Sequence, residues 1–216
     1  MVFCIKRFSL LISVLAVLSS CSTTEFEGKG TMDLKKFSKG TKPLPILRLG
    51  NPILREAGID VDPESMDAMQ TMKELAATVV DFGIDKTWGL AAPQIGIPHR
   101  ILYYADFDRE AKKVHGKYFL INPRFEPVGD EKIKSIEACL SVPDLVGIVQ
   151  RYKTIRLKAI RYDGETFTPI DEEITGDSVR MFQHEIDHLD GILYVDRMDS
   201  NKDLYYMDEF QEFGRD

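Results

Sequence analysis

The sequence predicts an α+β domain, in which mixed antiparallel strands pack around a central helix, with one helix before the strands and one at the C-terminus. Two observations indicate this class: apolar residues follow a helical period on both sides of a β-rich stretch, and no internal repeat is present. With 216 residues, 44% of them hydrophobic, the chain is long enough to bury one ordinary core. We therefore expect a single globular domain over residues 43–216.

The first helix is predicted from Asp62 and Pro63, which are suited to the N-cap and the first helical position. Its apolar stripe consists of Met66, Met69, Leu75, Val79 and Phe82. The stripe stops at Gly83, a residue type that commonly ends helices. Because the methionines follow the helical period, they are interpreted as core packing and not as a cofactor site.

Three segments in the middle of the chain are rich in β-branched and aromatic residues. They are 100–105 (RILYYA), 118–122 (YFLIN) and 154–162 (TIRLKAIRY). The third alternates apolar with basic residues and leads into a turn at Asp163 and Gly164. All three are predicted to be strands.

The central helix is predicted within 176–191 (GDSVRMFQHEIDHLDG), with Asp177 as its cap and Gly191 as its end. Its buried stripe is expected to be Val179, Phe182, Ile186 and Leu189. A last apolar series, three residues apart, consists of Leu204, Met207, Phe210 and Phe213. This spacing predicts a short amphipathic C-terminal helix that closes the domain.

The N-terminal segment has the composition of an export signal. Two basic residues precede an apolar run of 11 residues, Phe8 to Leu18, which is too short to cross a bilayer. The sequence LSSC that ends at Cys21 resembles a bacterial lipoprotein box, in which the cysteine is lipidated. We therefore expect a signal over residues 1–20 and a tether over residues 21–42.

These features predict a membrane-anchored lipoprotein of the cell envelope, held through lipidated Cys21. An uncleaved anchor is one alternative. Translation from Met32 is the other, and it would give a cytoplasmic domain. Nucleic acid is not expected as a partner, because the formal net charge is −7 and no basic cluster is present.

The cysteine count leaves one thiol to explain. Cys4 lies in the signal and Cys21 at the lipidation site, so Cys139 is the only thiol of the folded domain and no disulfide can form within it. Metal ligation is one explanation for a lone thiol in an exported domain. Burial as a small apolar side chain is the other.

The central helix carries the motif HEIDH. His184 and His188 are four residues apart, so their imidazoles would share one helical face and suit one tetrahedral ion, with Glu185 placed as a general base. Two surface histidines on an ordinary helix are the alternative interpretation. The third ligand has two candidates: Cys139, 45 residues before His184, and Glu209, 21 residues after His188. Sequence spacing alone does not choose between them.

Three segments together resemble the signatures of the peptide deformylase family. They are TWGLAAPQ at 87–94, EACLS at 137–141 and HEIDH at 184–188. Further similarity lies in PILRLGNPILREAG from residue 45, LINP at 120–123, VGIVQRY at 146–152 and GILYVDRM at 191–198. The resemblance covers about 150 residues, and the three signatures occur in the family's order.

The resemblance implies a hydrolase that removes the formyl group from the N-terminal formyl-methionine of peptides or nascent polypeptides and releases formate. It implies that one divalent ion is held by Cys139, His184 and His188. The family works most readily with Fe²⁺, and Zn²⁺, Ni²⁺ or Co²⁺ can occupy such a site. Glu185 would be the general base and then the general acid. The Gln94 side chain and the Leu140 backbone N–H would donate hydrogen bonds to the developing oxyanion.

Other positions follow from the same resemblance. Gly89, Trp88 and Glu137 are expected beside the substrate, with Glu137 orienting the loop that carries the cysteine. Core packing is the other interpretation of Trp88. Asp187 is expected to pair with Arg151. Thr87 and Ala138 stand where the family has glycine, so a positive φ at either would be strained.

Two other functions stay open. One is a metalloendopeptidase with Glu209 as the third ligand. The other is a catalytically inactive homologue that binds formyl peptides without turnover.

Overall fold

The computed structural model describes residues 32–108 and 113–213. The helices of this part of the chain are α1 (Leu34–Phe37), α2 (Met66–Phe82), α3 (Ser178–Leu189) and α4 (Met207–Phe213). Its strands are β1 (Gly89–Ala91), β2 (Ile101–Asp108), β3 (Lys113–Pro127), β4 (Lys132–Cys139), β5 (Val142–Tyr152), β6 (Ile155–Tyr162), β7 (Phe167–Ile174) and β8 (Leu204–Tyr206). The predicted α+β class is confirmed.

The strands form two antiparallel sheets. One has the order β1-β2-β3-β6-β7 and the other β4-β5-β8, so β1 and β4 are edge strands. Side chains alternate between the faces of the larger sheet, with Tyr103 and Phe119 in the α2 core, and Leu102 and Tyr104 in the α3 core. The sheet is therefore covered by α2 on one face and by α3 on the other.

The helix α2 begins later than predicted. Its N-cap is Ser65, whose Oγ accepts a hydrogen bond from the Ala68 N–H at 3.1 Å, while Asp62 lies in the preceding turn. The predicted end at Gly83 is confirmed. Two members of the predicted stripe are wrong as core residues, since Met66 is 89% exposed and Phe82 is 45% exposed. Both lie at the ends of the helix, beyond the sheet that buries its middle.

The C-terminal helix is shorter than predicted. Leu204 lies in β8, where it pairs with Gly147 of β5, and the helix starts only at Met207. Phe213 is 65% exposed, so it does not close the core. The apolar spacing was misleading because residues 204–206 gain more from extending the small sheet than from another helical turn.

The domain begins before residue 43. Met32 and Leu34 are buried, and the Phe37 ring lies 5.7 Å from that of Phe119 and 6.0 Å from that of Tyr162. The tether predicted over residues 21–42 is therefore too long, because its last part belongs to the core. The predicted signal over residues 1–20 and Cys21 lie outside the described residues. Within residues 32–108 and 113–213, no helix has the length and apolar character needed to span a membrane.

The central helix α3 matches its prediction. Val179, Phe182, Ile186 and Leu189 are all buried against the larger sheet. Asp177 occupies the N-cap position, although its side chain accepts no capping hydrogen bond there and instead pairs with Arg180. After the helix, Gly191 adopts φ 73° and turns the chain back toward the loop at Arg55.

We expect Gly191→Ala to lower the free energy of unfolding by about 2–4 kcal/mol. An alanine Cβ would lie 2.7 Å from the backbone carbon of Arg55, and the positive φ adds strain. Gly129→Ala is the matched control, because Gly129 has a similar φ of 76° but open space around it. Urea unfolding of both variants measures the difference. Equal losses would contradict a role for the close approach to Arg55.

Candidate metal centre and catalytic site

The structure brings Cys139, and not Glu209, to the two histidines. His184 and His188 lie one turn apart on α3, and Cys139 is the last residue of β4. Their candidate ligand atoms all lie within 4.8 Å of one another, with Cys139 Sγ 3.2 Å from His188 Nε2. One ion fits among these atoms, since bonds to zinc are about 2.0–2.3 Å long. Glu209 is exposed on α4 and is not part of this group.

The environment of Cys139 favours the thiolate. Burial alone would raise the pKa of the thiol, but the adjacent rings of His188 and His184 lower it well below its usual range. Two groups also donate weak hydrogen bonds to Sγ: Gln94 Nε2 at 3.5 Å and the Ser141 N–H at 3.4 Å. Because the thiolate is the form that binds metals, this thiol suits a metal ligand.

Glu137 holds the His184 ring. His184 Nδ1 lies 2.8 Å from Glu137 Oε2, which leaves Nε2 for a metal ion. Burial by itself would raise the pKa of Glu137, but hydrogen bonds from Arg151 and His184 lower it to about 2. The carboxylate is 7% exposed and is engaged by both partners. This arrangement lets Glu137 orient the His184 ring, while its expected roles beside the substrate and in orienting the cysteine loop stay predictions.

The predicted pair of Asp187 and Arg151 is confirmed. Arg151 Nη1 donates to Asp187 Oδ2 at 2.5 Å, while the same guanidinium donates to Glu137 at 2.7 and 2.8 Å. Arg151 lies on β5 and Asp187 on α3. The pair therefore ties the helix that carries both histidines to the smaller sheet.

Glu185 is a buried carboxylate in which one oxygen makes no hydrogen bond to the described residues. It is 6% exposed, burial raises its pKa, and its Oε2 has no hydrogen-bond partner among the described residues. Gly89 lies against it: a Cβ there would be 2.3 Å from Glu185 Oε1, so any larger residue would displace the carboxylate. The unpaired oxygen can accept a proton from a molecule bound at the site.

Gln94 and Leu140 lie beside the cysteine. The Gln94 Oε1 accepts a hydrogen bond from the Ala91 N–H at 2.8 Å, and this turns Nε2 toward Ser141 Oγ, at 3.2 Å, and toward Cys139. Leu140 follows Cys139 in the two-residue turn between β4 and β5. The two residues predicted as oxyanion donors thus both lie next to Cys139.

Trp88 lies at the surface and not in the core. It is 38% exposed and stacks on Phe107 with 4.8 Å between the ring centroids. Trp88 directly precedes Gly89, the residue whose Cα lies against Glu185.

The two departures from the family's glycines are tolerated. Neither Thr87 nor Ala138 has a positive φ, so the expected strain is absent at both. Thr87 is buried, and its Oγ1 donates to the Gly83 carbonyl at 3.0 Å, which stabilises the end of α2.

Sequence reasoning missed three residues of the site. Ser141 is fully buried and contacts Cys139 and Gln94, and its signal was its place in the EACLS segment. Arg197 binds Asp187 through two nitrogens, and it lies in the segment GILYVDRM. The Tyr194 ring lies nearly parallel to that of His184, at 6.3 Å, and no sequence signal indicated this.

A family model for polypeptide deformylase matches residues 43–204, which is well over half of the chain. The chain belongs to this family. Peptide deformylases are metal-dependent hydrolases that remove the formyl group from N-terminal formyl-methionine, and the group formed by Cys139, His184 and His188 could hold such a metal ion.

Individual peptide deformylases agree with the family match. Peptide deformylase 3 of Streptomyces avermitilis is 36% identical over 171 residues, which are 72% of this chain and 71% of the relative. The peptide deformylase of Leptospira biflexa is 33% identical over 175 residues, which are 79% and 96% of the two chains.

Solved structures share the fold. The peptide deformylase of Thermotoga maritima has a TM-score of 0.62 and 30% identity, and the match covers 73% of this chain and 99% of that one. A class I type b peptide deformylase from Acinetobacter baumannii, with Met-Ala-Ser bound, has a TM-score of 0.62 and 29% identity, and covers 72% and 98%.

Proposed function

We propose that this peptide deformylase cleaves formyl-methionyl peptides with Cys139, His184 and His188 as the ligands of one divalent ion and Glu185 as the proton carrier. One observation carries the assignment. Three ligand atoms within 4.8 Å of one another lie beside a buried carboxylate whose second oxygen has no partner among the described residues. No other group of three ligand side chains was found in that part of the chain.

Fe²⁺ is the proposed resident ion. One thiolate and two imidazoles form a donor set that also accepts Zn²⁺, Ni²⁺ or Co²⁺. When bound, such an ion supplies an activated water and polarises the formyl carbonyl.

The residues of the chain handle the proton and the developing charge. Glu185 accepts the proton of the attacking water at its unpaired carboxylate oxygen while the new C–O bond forms. One N–H of Gln94 Nε2, which leaves its weak hydrogen bond to Cys139 Sγ, and the backbone N–H of Leu140 donate to the carbonyl oxygen as it gains charge. Glu185 then returns the proton to the amine nitrogen as the C–N bond breaks, so formate and a free N-terminus leave.

The substrate is proposed to lie along β1. This strand pairs only with β2 among the described strands, so its other edge can bind an extended peptide. The close contact between Gly89 of β1 and Glu185 supports this position for the substrate. The Acinetobacter baumannii relative with Met-Ala-Ser bound supports a short peptide with methionine first as the ligand.

The test is formate release from formyl-Met-Ala-Ser by the full chain, loaded anaerobically with Fe²⁺. We expect one formate for each new free amine. Binding of the peptide without formate would instead support the inactive homologue. Internal cleavage of an unformylated peptide, lost in Glu209→Ala, would support the endopeptidase.

Trp88 is proposed to limit the pocket for the first side chain. We expect Trp88→Leu to raise the kcat/KM ratio of formyl-Phe to formyl-Met peptides about tenfold, because the stacked indole no longer restricts a large ring. Phe213→Leu is the control, since Phe213 is an exposed aromatic at the end of α4. An unchanged ratio in Trp88→Leu would show that the indole does not touch the substrate.

The protein is further proposed to be a lipoprotein of the cell envelope that acts on exported formyl peptides. The support is the LSSC box ending at Cys21 behind a basic and apolar leader. Radiolabelled palmitate is expected in the full-length chain and not in Cys21→Ala. An unlabelled protein in the cytosol would support translation from Met32 and action on nascent chains.

A further inference from the structure

A continuous series of ion pairs leads from the metal centre to the surface. Glu137 holds His184, Arg151 binds Glu137, Asp187 binds Arg151, and Arg197 binds Asp187. We call these four charged residues, from Glu137 to Arg197, the ion-pair chain. Its outer end, Arg197, has a side chain that is 42% exposed, whereas the Asp187 side chain is 1% exposed.

Asp187 needs both of its guanidinium partners. Its Oδ1 accepts from Arg197 Nη2 at 2.7 Å, and its Oδ2 accepts from Arg197 Nε at 3.1 Å and from Arg151 Nη1 at 2.5 Å. The bidentate contact with Arg197 fixes the plane of the carboxylate. The same contact therefore fixes the position of Asp187 Oδ2, which accepts the hydrogen bond from Arg151.

The ion-pair chain is electrically balanced. Two carboxylates face two guanidinium groups, and the side chains of Glu137, Arg151 and Asp187 are at most 7% exposed. Without Arg197, the buried guanidinium of Arg151 would be the only positively charged partner in the ion-pair chain for the two buried carboxylates of Glu137 and Asp187. An incompletely compensated buried charge is costly, so the remaining groups would shift to share Arg151.

We propose that Arg197 is a positioning residue for the metal centre, holding His184 in place through Asp187, Arg151 and Glu137. This inference rests on the proposed function, because it takes His184 as a metal ligand. Arg151 donates to both carboxylates at once, through Nε and Nη2 to Glu137 and through Nη1 to Asp187. When Asp187 is held by Arg197, Arg151 keeps both hydrogen bonds to Glu137, and Glu137 keeps the His184 ring oriented.

A purely structural role for Arg197 makes a different prediction. Arg197 closes the short helical turn at Tyr194–Asp196 and could simply tie that turn to α3. In that case the loss of Arg197 would lower the free energy of unfolding, but the rate of metal release would not depend on the charge balance of the ion-pair chain. The rate of metal release from folded protein therefore distinguishes the positioning role from the structural role.

The experiment measures the rate at which the zinc-loaded full chain gives up its ion to a chromogenic chelator, with thermal unfolding followed in parallel. Arg197→Met is expected to release zinc about tenfold faster than the wild type, the lower end of what loss of such an outer partner causes. Arg197→Lys keeps the charge and is expected to restore most of the retention.

Arg55→Met is the matched control. Arg55 pairs with Asp196, the residue directly before Arg197. The Arg55 side chain is 42% exposed, like that of Arg197, but the pair of Arg55 and Asp196 does not belong to the ion-pair chain. We expect Arg55→Met to release zinc within twofold of the wild type. If Arg55→Met releases zinc as fast as Arg197→Met, the faster release comes from disturbing the turn at Tyr194–Asp196, and the inference is overturned.

The double variant Asp187→Asn with Arg197→Met tests the charge argument on its own. It removes one charge of each sign, so Glu137 and Arg151 are left as a balanced pair. We expect it to release zinc more slowly than Arg197→Met alone. A release rate in which the effects of the two single substitutions add would overturn the inference. Equally slow release from Arg197→Met and the wild type would overturn it as well. A wild-type chain that binds no zinc would overturn the proposed function together with this inference.

Discussion

Replacing Glu185 with glutamine is expected to lower kcat for formate release by about 10³-fold while the metal content stays that of the wild type. Glutamine has nearly the same size and keeps the contact with Gly89, but its amide cannot accept the proton of water or return it to the amine. Because Glu185 is not one of the three ligands, the site should still fill with metal. Steady-state kinetics with formyl-Met-Ala-Ser and elemental analysis of the same sample measure both quantities.

Glu209→Gln is the control for this variant. Glu209 is an exposed acidic residue on α4, and the proposed mechanism gives it no role. Its kcat is expected to match that of the wild type. Near wild-type turnover in Glu185→Gln would contradict the assignment of the proton carrier, and loss of metal would show that Glu185 binds the ion.

Replacing Cys139 with alanine is expected to reduce metal affinity by more than about 100-fold and to remove formate release. The change leaves only the two imidazoles of α3, whereas a stable site of this kind needs three protein ligands. The thiolate is also the only negatively charged ligand, so its loss leaves two neutral rings for a dication.

Thermal unfolding gives an independent measure of this loss. A metal that binds the native state raises the unfolding temperature of the wild type, and we expect no such rise in Cys139→Ala. Ser141→Ala, two residues further along the chain, is the matched control, since it removes only the hydroxyl that contacts Gln94. Metal stabilisation that persists in Cys139→Ala would contradict the role of the thiolate.

The parts of the fold that depend on local pattern could be predicted from the sequence. The buried stripe of α3 follows the helical period, and three strands of the larger sheet, β2, β3 and β6, have a clear β composition. Errors arose where tertiary pairing overrides local preference. Leu204 fits a helix by spacing, but β5 offers it strand hydrogen bonds, and Ser65 replaces Asp62 as the cap because the preceding turn uses Asp62.

The candidate site was predictable where one motif contains the chemistry. His184, Glu185 and His188 are fixed relative to one another by a single helix. The choice of Cys139 over Glu209 was not available from spacing, because it depends on how the hairpin of β4 and β5 packs against α3. In the sequence, the family resemblance is what favours the cysteine as the third ligand.

The outer partners of the ligands were the least predictable part. Arg197 has no motif of its own, and its importance comes from the buried carboxylate that it meets ten residues away. Tyr194 stacks beside His184 only because the chain turns back after Gly191. Such contacts depend on long-range geometry that a single sequence does not encode in any short pattern.

X-ray absorption spectroscopy of the iron-loaded full chain tests the central claim most directly. The spectrum identifies the atoms bound to the ion, and we expect one sulfur and two imidazole nitrogens from the protein, with the sulfur contribution lost in Cys139→Ala. A first shell without sulfur, in which a carboxylate oxygen disappears in Glu209→Ala, would contradict the site and support the endopeptidase instead.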